Sequence, residues 1–187
     1  MAGTRVWFDE TPAPLIYASF NQISAVVPYD VAGKETVQVQ VENMVARSLP
    51  INLAVEDSVP ALFTADSSGK GAVAALNQDI RANSESNPAA KGSIVVLYAT
   101  GAGKMDPPLA DGTLASLDPL PKPVLPVRVS IGGQPAEILY AGAAPQLVSG
   151  VLQVNARIPD VVSSGAVPII LTVGNISSSA ECTIWVQ

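Results

Sequence analysis

Arg5-Val6-Trp7-Phe8-Asp9-Glu10-Thr11-Pro12-Ala13-Pro14-Leu15-Ile16-Tyr17-Ala18 lies without a gap on Arg128-Val129-Ser130-Ile131-Gly132-Gly133-Gln134-Pro135-Ala136-Glu137-Ile138-Leu139-Tyr140-Ala141, an offset of 123 (128 − 5). Arg, Val, Pro, Ala, Tyr and Ala recur in register. Farther along, Gln22-Ile23-Ser24-Ala25-Val26-Val27-Pro28 matches Gln153-Val154-Asn155-Ala156-Arg157-Ile158-Pro159, and both stretches continue into further alternating segments. A fixed-offset match of this length reads as two copies of one β-rich unit.

The strand assignment rests on period-two alternation. Val37, Val39 and Val41 alternate with Gln38, Gln40 and Glu42, as do Val127, Val129 and Ile131 with Arg128 and Ser130. Leu152, Val154, Ala156 and Ile158 alternate with Gln153, Asn155 and Arg157. Each pattern describes a strand with one wet face. Ile94-Val95-Val96-Leu97-Tyr98 is continuously apolar, which places it at the centre of a sheet or under cover on both faces. Gly132-Gly133 and Gly174-Asn175 fall where two-residue hairpin turns need positive φ. No long stretch has a 3.6-residue period with caps.

The expected fold is all-β: tandem immunoglobulin-like antiparallel sandwiches. Residues 58–187 form a complete unit, because Gly71 to Asp79 and Ser93 to Thr100 supply further strands ahead of the second copy. Residues 1–57 form a partial unit lacking its opening strands. Its apolar edge and face should be exposed, inviting pairing with another copy as a homodimer or docking onto the second unit. The stretch 105–126, with six prolines and three aspartates, reads as an extended surface loop.

Composition narrows the function classes. Of 187 residues, 48% are hydrophobic and only 14% charged; the net charge is −6, and there is no histidine. With Lys and Arg dispersed, an anionic nucleic-acid backbone is repelled. No apolar run reaches the ~18 residues of a spanning helix, so membrane insertion is not expected. Met1-Ala2-Gly3-Thr4 lacks the regions of a signal peptide and reads as a start inside a longer protein. The single cysteine, Cys182, is in phase with Ile184 and Val186 and is expected inside.

The remaining motifs assign no catalytic, cofactor-binding or metal-ligating residue. Thr100-Gly101-Ala102-Gly103-Lys104 has the wrong spacing for a phosphate loop and is followed by Pro107-Pro108, so it reads as a strand-ending turn. Ser67 and Lys70 have the spacing of an acyl-transfer pair, but Gly69 and Gly71 oppose the helix such a pair requires. Without histidine, a Ser-His-Asp triad is absent. Carboxylate chemistry would need two of Asp79, Asp106, Asp111, Asp118 and Glu137 to face each other across a cleft. Asp106, Asp111 and Asp118 could offer oxygens to Ca²⁺, though their spacing matches no calcium loop and solvated loop aspartates are the default. Trp7 and Trp185 are out of phase with their inward neighbours and so point away from the core. There an indole can stack on a sugar, bury against a partner, or pack beneath a loop. These two indoles and three loop aspartates are the candidate ligand or partner surface.

Several stretches together carry a family resemblance: Pro14-Leu15-Ile16-Tyr17, Asn21-Gln22-Ile23-Ser24-Ala25-Val26-Val27-Pro28-Tyr29, Leu76-Asn77-Gln78-Asp79, Asn87-Pro88-Ala89-Ala90-Lys91-Gly92-Ser93, Tyr98-Ala99-Thr100-Gly101 and Ile131-Gly132-Gly133-Gln134-Pro135-Ala136 through Tyr140-Ala141-Gly142. In these the chain resembles the acidobacterial (Solibacter-type) uncharacterised C-terminal domain family. More loosely, the repeat unit is similar to the immunoglobulin-like folds shared by plexins and transcription factors (IPT/TIG). The resemblance implies a module at the C-terminal end of a large bacterial protein that is secreted or on the cell surface. It brings no catalytic residue and no cofactor. The expected role is a non-catalytic structural or interaction module whose partners are other domains of the same protein or an extracellular protein or glycan. The alternatives are a carbohydrate-binding or adhesive module and, less favoured, an accessory domain of a secreted hydrolase.

Overall fold

The computed structural model describes residues 3–187. They form an all-β sandwich fold of antiparallel sheets; one 3₁₀ turn, Tyr29–Val31, stands apart from the strands. Among the described residues no helix is long and apolar enough to cross a membrane.

The larger core lies between two sheets. In one, Ile94–Thr100 pairs with Leu152–Arg157, which pairs with Ile138–Ala143; Ala61–Leu62 and Ala75–Leu76 also lie along Ile94–Thr100. In the other, Val127–Ile131 and Cys182–Val186 flank Gly165–Val173, and Gly71–Ala72 adds in parallel to Cys182–Val186. Alternate residues point inward and are buried: Val95, Leu97 and Ala99, with Val154 beside them in the same sheet, face Ile169, Leu171 and Ile184 of the other sheet across the sandwich core. Ile94, Val96 and Tyr98 are half-buried on the outer face, so the continuous apolar run belongs to a strand at the middle of its sheet.

Two sequence expectations change. Gly71 to Asp79 is not one strand. Gly71–Ala72 pairs in one sheet and Ala75–Leu76 in the other, the chain crossing between them at the buried Val73. A segment of small residues can make that step because it lacks bulk on either face. The stretch 105–126 is not simply a surface loop. Met105–Asp106 pairs with Lys122–Pro123, Leu114 bridges to Val148, and Met105 and Ala115 are buried in the core. The prolines exclude a long ladder, but the apolar residues between them still seek burial.

The N-terminal strands carry a smaller core of Val6, Phe8, Ala13, Val31 and Val37. Thr4–Phe8 pairs with Thr11–Ala13 and Thr36–Asn43, and Thr36–Asn43 pairs in turn with Ala46–Arg47 and Ile51–Ala54. Leu15–Ala18 and Ile23–Ala25 form a separate hairpin. These pairings recur in the C-terminal portion at fixed offsets. Val6↔Val41 and Phe8↔Val39 correspond to Val129↔Leu171 and Ile131↔Ile169. The register shift between Leu15 and Tyr17 falls at the same place as that between Ile138 and Tyr140. The Ser48 hydroxyl accepts the Val41 N–H at 3.0 Å, and the Ser178 hydroxyl accepts the Leu171 N–H at 3.0 Å.

The turns between corresponding strands share a left-handed first residue but fill it differently. Met44 has φ 56° where its counterpart Gly174 has φ 62°, and Asp9 has φ 53° where Gly132 has φ 59°. A side chain is therefore held in the left-handed region twice in the N-terminal portion, where glycine serves in the C-terminal one.

Candidate functional site

The strand Ile51–Ala54 corresponds to Cys182–Val186. Val37↔Leu53 and Gln38↔Asn52 repeat Val167↔Ile184 and Pro168↔Thr183, so Ile51 stands where Cys182 does and Val55 where Val186 does. The surroundings differ sharply. Ile51, Leu53 and Val27 are 64%, 47% and 54% exposed, whereas their counterparts Cys182, Ile184 and Ile158 are 1%, 0% and 0% exposed.

The cause is visible in the C-terminal portion. There Gly71–Ala72 runs along one edge, Ile94–Thr100 along the other, and Leu62, Val73, Ala75 and Val95 close the core. No described residues take those places beside Ile51–Ala54 or Ile23–Ala25. Two strand edges and the apolar face between them are consequently open.

That face forms one wall of a cavity of about 540 Å³. Phe8, Val37 and Leu53 line it from the N-terminal portion, and Phe63, Met105 and Val151 from the C-terminal one. The volume lies within the range of sites that enclose a ligand or an anchoring side-chain cluster. Lys104, Glu56 and Asp57 also line it and supply charge.

The two portions are fixed against each other beside this cleft. The Tyr29 N–H donates to Asp111 Oδ1 at 2.9 Å, and Tyr29 packs on the larger core. Burial, followed by the nearby Asp111 charge, pushes the Tyr29 hydroxyl pKa up. At the start of the C-terminal portion, Ser58 is buried and donates to the Val173 carbonyl of the same portion at 2.9 Å. The Thr100–Lys104 turn is shaped by close backbone approach: a Cβ on Gly101 would land on the Val59 carbonyl, and one on Gly103 on that of Asp57. Its glycines thus serve packing, as the strand-ending turn requires.

The residues singled out from sequence do not converge. Trp7 lies outside the small core, half-buried; its Nε1 donates to Glu42 Oε2 at 3.1 Å, and the Arg47 guanidinium sits 4.3 Å from the ring centroid. One indole face is therefore occupied by a cation. Glu42 also receives Arg5 at 3.2 Å and Arg47 at 2.8 Å, and its carboxyl is held below the ordinary range, first through the Arg47 hydrogen bond. Trp185 is half-buried too; its backbone N–H donates to Asn83 Oδ1 at 2.9 Å and its carbonyl accepts from Asn83 Nδ2 at 2.8 Å. Asp106 is exposed and paired along the chain with Lys122; Asp118 is exposed; Asp111 is engaged by Tyr29.

Among the described residues no three of Cys, Asp and Glu gather into a group that could hold a metal ion. Asp79 lies 3.8 Å from Arg81, and Glu137 lies 2.8 Å from Arg157. Lys70 reaches Glu181 at 3.0 Å, away from Ser67. Cys182 is a buried free thiol whose pKa is raised, chiefly by burial and then by Glu181.

The sequence anticipates an exposed apolar edge and face on residues 1–57 but does not single out the residues that form it. Their signal was present: Ile51 and Leu53 follow the period of Cys182 and Ile184, and counting the strands available to cover them shows the deficit. Comparison of the chain with known protein-family models, and with curated proteins, finds no match.

Proposed function

We propose that this chain is a non-catalytic interaction module of a secreted or cell-surface bacterial protein, built from two copies of one immunoglobulin-like unit. The complete copy spans residues 58–187 and acts as the rigid base. The N-terminal copy, residues 1–57, is an open half-sandwich whose uncovered face is the docking surface. The observation that carries this reading is the exposure of Ile51, Leu53 and Val27 at positions whose counterparts are buried. Recurrence of the same registers and the same register shift supports the duplication. The resemblance to the acidobacterial C-terminal domain family supports the extracellular setting and the partner class, another domain or an extracellular protein.

The test is a titration with the apolar dye 8-anilinonaphthalene-1-sulfonate. Wild-type protein should bind it saturably, and the double variant Ile51→Lys, Leu53→Lys should lose that binding while keeping the melting transition of the larger core. Equal dye binding by both proteins would overturn the assignment of the surface.

A further inference from the structure

We propose that the occupant of the open cleft is an extended polypeptide segment from outside residues 3–187, which adds as a β-strand beside Ile51–Ala54 and covers the exposed aliphatics. This inference rests on the reading of that face as the docking surface and goes beyond it by naming what docks and in which register.

The C-terminal portion contains its own version of the occupied state. Gly71–Ala72 lies parallel to Cys182–Val186, with Cys182↔Gly71 and Thr183↔Ala72, and Ile94–Thr100 lies antiparallel to Leu152–Arg157. The Gly71 and Val73 N–H groups donate to the Glu181 and Thr183 carbonyls, each at 2.9 Å. Beyond them, the Ala89 N–H donates to the Trp185 carbonyl at 2.9 Å, and the Asn83 side chain takes the Trp185 N–H.

The counterparts of these strand groups are the carbonyls of Pro50 and Asn52 and the N–H and carbonyl of Ala54. The Val55 N–H bonds the Glu35 carbonyl at 3.0 Å, so by ladder alternation the Ala54 polar groups face away from Thr36, toward the open edge. A row of unpaired donors and acceptors beside an apolar cleft is satisfied by another backbone. An oily small molecule would fill the cavity and leave those groups bare.

The apolar face is also matched in size. Ala25 stands for Ala156, Val55 for Val186, Leu53 for Ile184, Ile23 for Val154 and Val27 for Ile158. A segment whose inward residues are small or aliphatic, in the manner of Val73, Ala75, Val95 and Leu97, therefore fits both faces. The partner strand runs parallel to Ile51–Ala54 and is uncharged at its inward positions.

The probe is a synthetic peptide of this chain's residues 60–101, titrated into the ¹⁵N-labelled full chain. The expected result is saturable binding, with amide shifts and new exchange protection at Ile51–Ala54 and Ile23–Ala25, and displacement of the bound dye. Ala54→Pro removes one edge donor and should weaken peptide binding by about ten-fold while dye binding persists. Leu53→Glu, which blocks the face rather than the edge, should abolish both. If the dye binds but the peptide does not, or if Ala54→Pro binds peptide like wild type, strand addition is overturned and the docking surface stands. If neither dye nor peptide binds, both fall. A dimer in sedimentation that protects Ile51–Ala54 and resists the peptide would assign the edge to a second copy and likewise overturn the proposal.

Discussion

Ile51 and Cys182 hold the same position in corresponding strands, yet Ile51 is 64% exposed and Cys182 1%. Each strand pairs along one edge with the long strand of its sheet, Thr36–Asn43 or Gly165–Val173. Among the described residues, the second alone also has a neighbour on its other edge and a sheet across its inner face. The difference sets how much each side chain contributes to stability, because apolar stabilisation follows the area removed from water.

Truncating matched residues should therefore give unmatched costs. Ile184→Ala, fully buried, should lose roughly 2–5 kcal/mol of unfolding free energy. Leu53→Ala, half exposed at the corresponding place, should lose less than about 1 kcal/mol. Urea unfolding of both variants, followed through the larger core, checks the pair.

Gly101 bears on the joint between the portions. Its φ is +77°, and a Cβ there would strike the Val59 carbonyl. Gly101→Ala should cost more than about 2 kcal/mol, combining left-handed strain with displacement of the connecting segment. A thermal melt of the variant measures this.

At the hairpin after Thr36–Asn43, Met44 holds φ 56° with its side chain exposed, while Gly174 serves the corresponding turn at φ 62°. Gly174→Ala should destabilise by about 1 kcal/mol and Met44→Gly should be neutral or stabilising. Chemical denaturation of the two variants gives the signs.

Acid should weaken the Trp7 cluster. Glu42 has its pKa lowered in the folded state by Arg47, so the stability it contributes is present above the ordinary carboxylate pKa and lost as pH falls through the lower folded value. Trp7 fluorescence should change on acidification below about pH 4.5, and Glu42→Gln should remove that pH dependence.

Much of the architecture was legible. The alternation at Leu152–Ile158 and Val127–Ile131 produced strands with the anticipated inward faces, and the offset match anticipated the common pairing registers. Less legible was whatever depends on distant partners. The crossing at Val73 needs two sheets to be known before a pair of two-residue strands makes sense, and the burial of Ala115 needs the body that the Pro-rich stretch packs on. The aromatic candidates were read from phase alone, which gives direction but not neighbours. Arg47 stacks on Trp7 because a hairpin returns it there, forty residues later in the chain.

The most direct test is amide hydrogen exchange at Ala54 and Trp185 in dilute protein without added peptide. Trp185 donates its N–H to Asn83 within a covered sheet, whereas the corresponding Ala54 N–H faces the open edge. The expected result is protection at Trp185 approaching global unfolding and near-unprotected exchange at Ala54. Equal, strong protection at both would contradict the open half-sandwich.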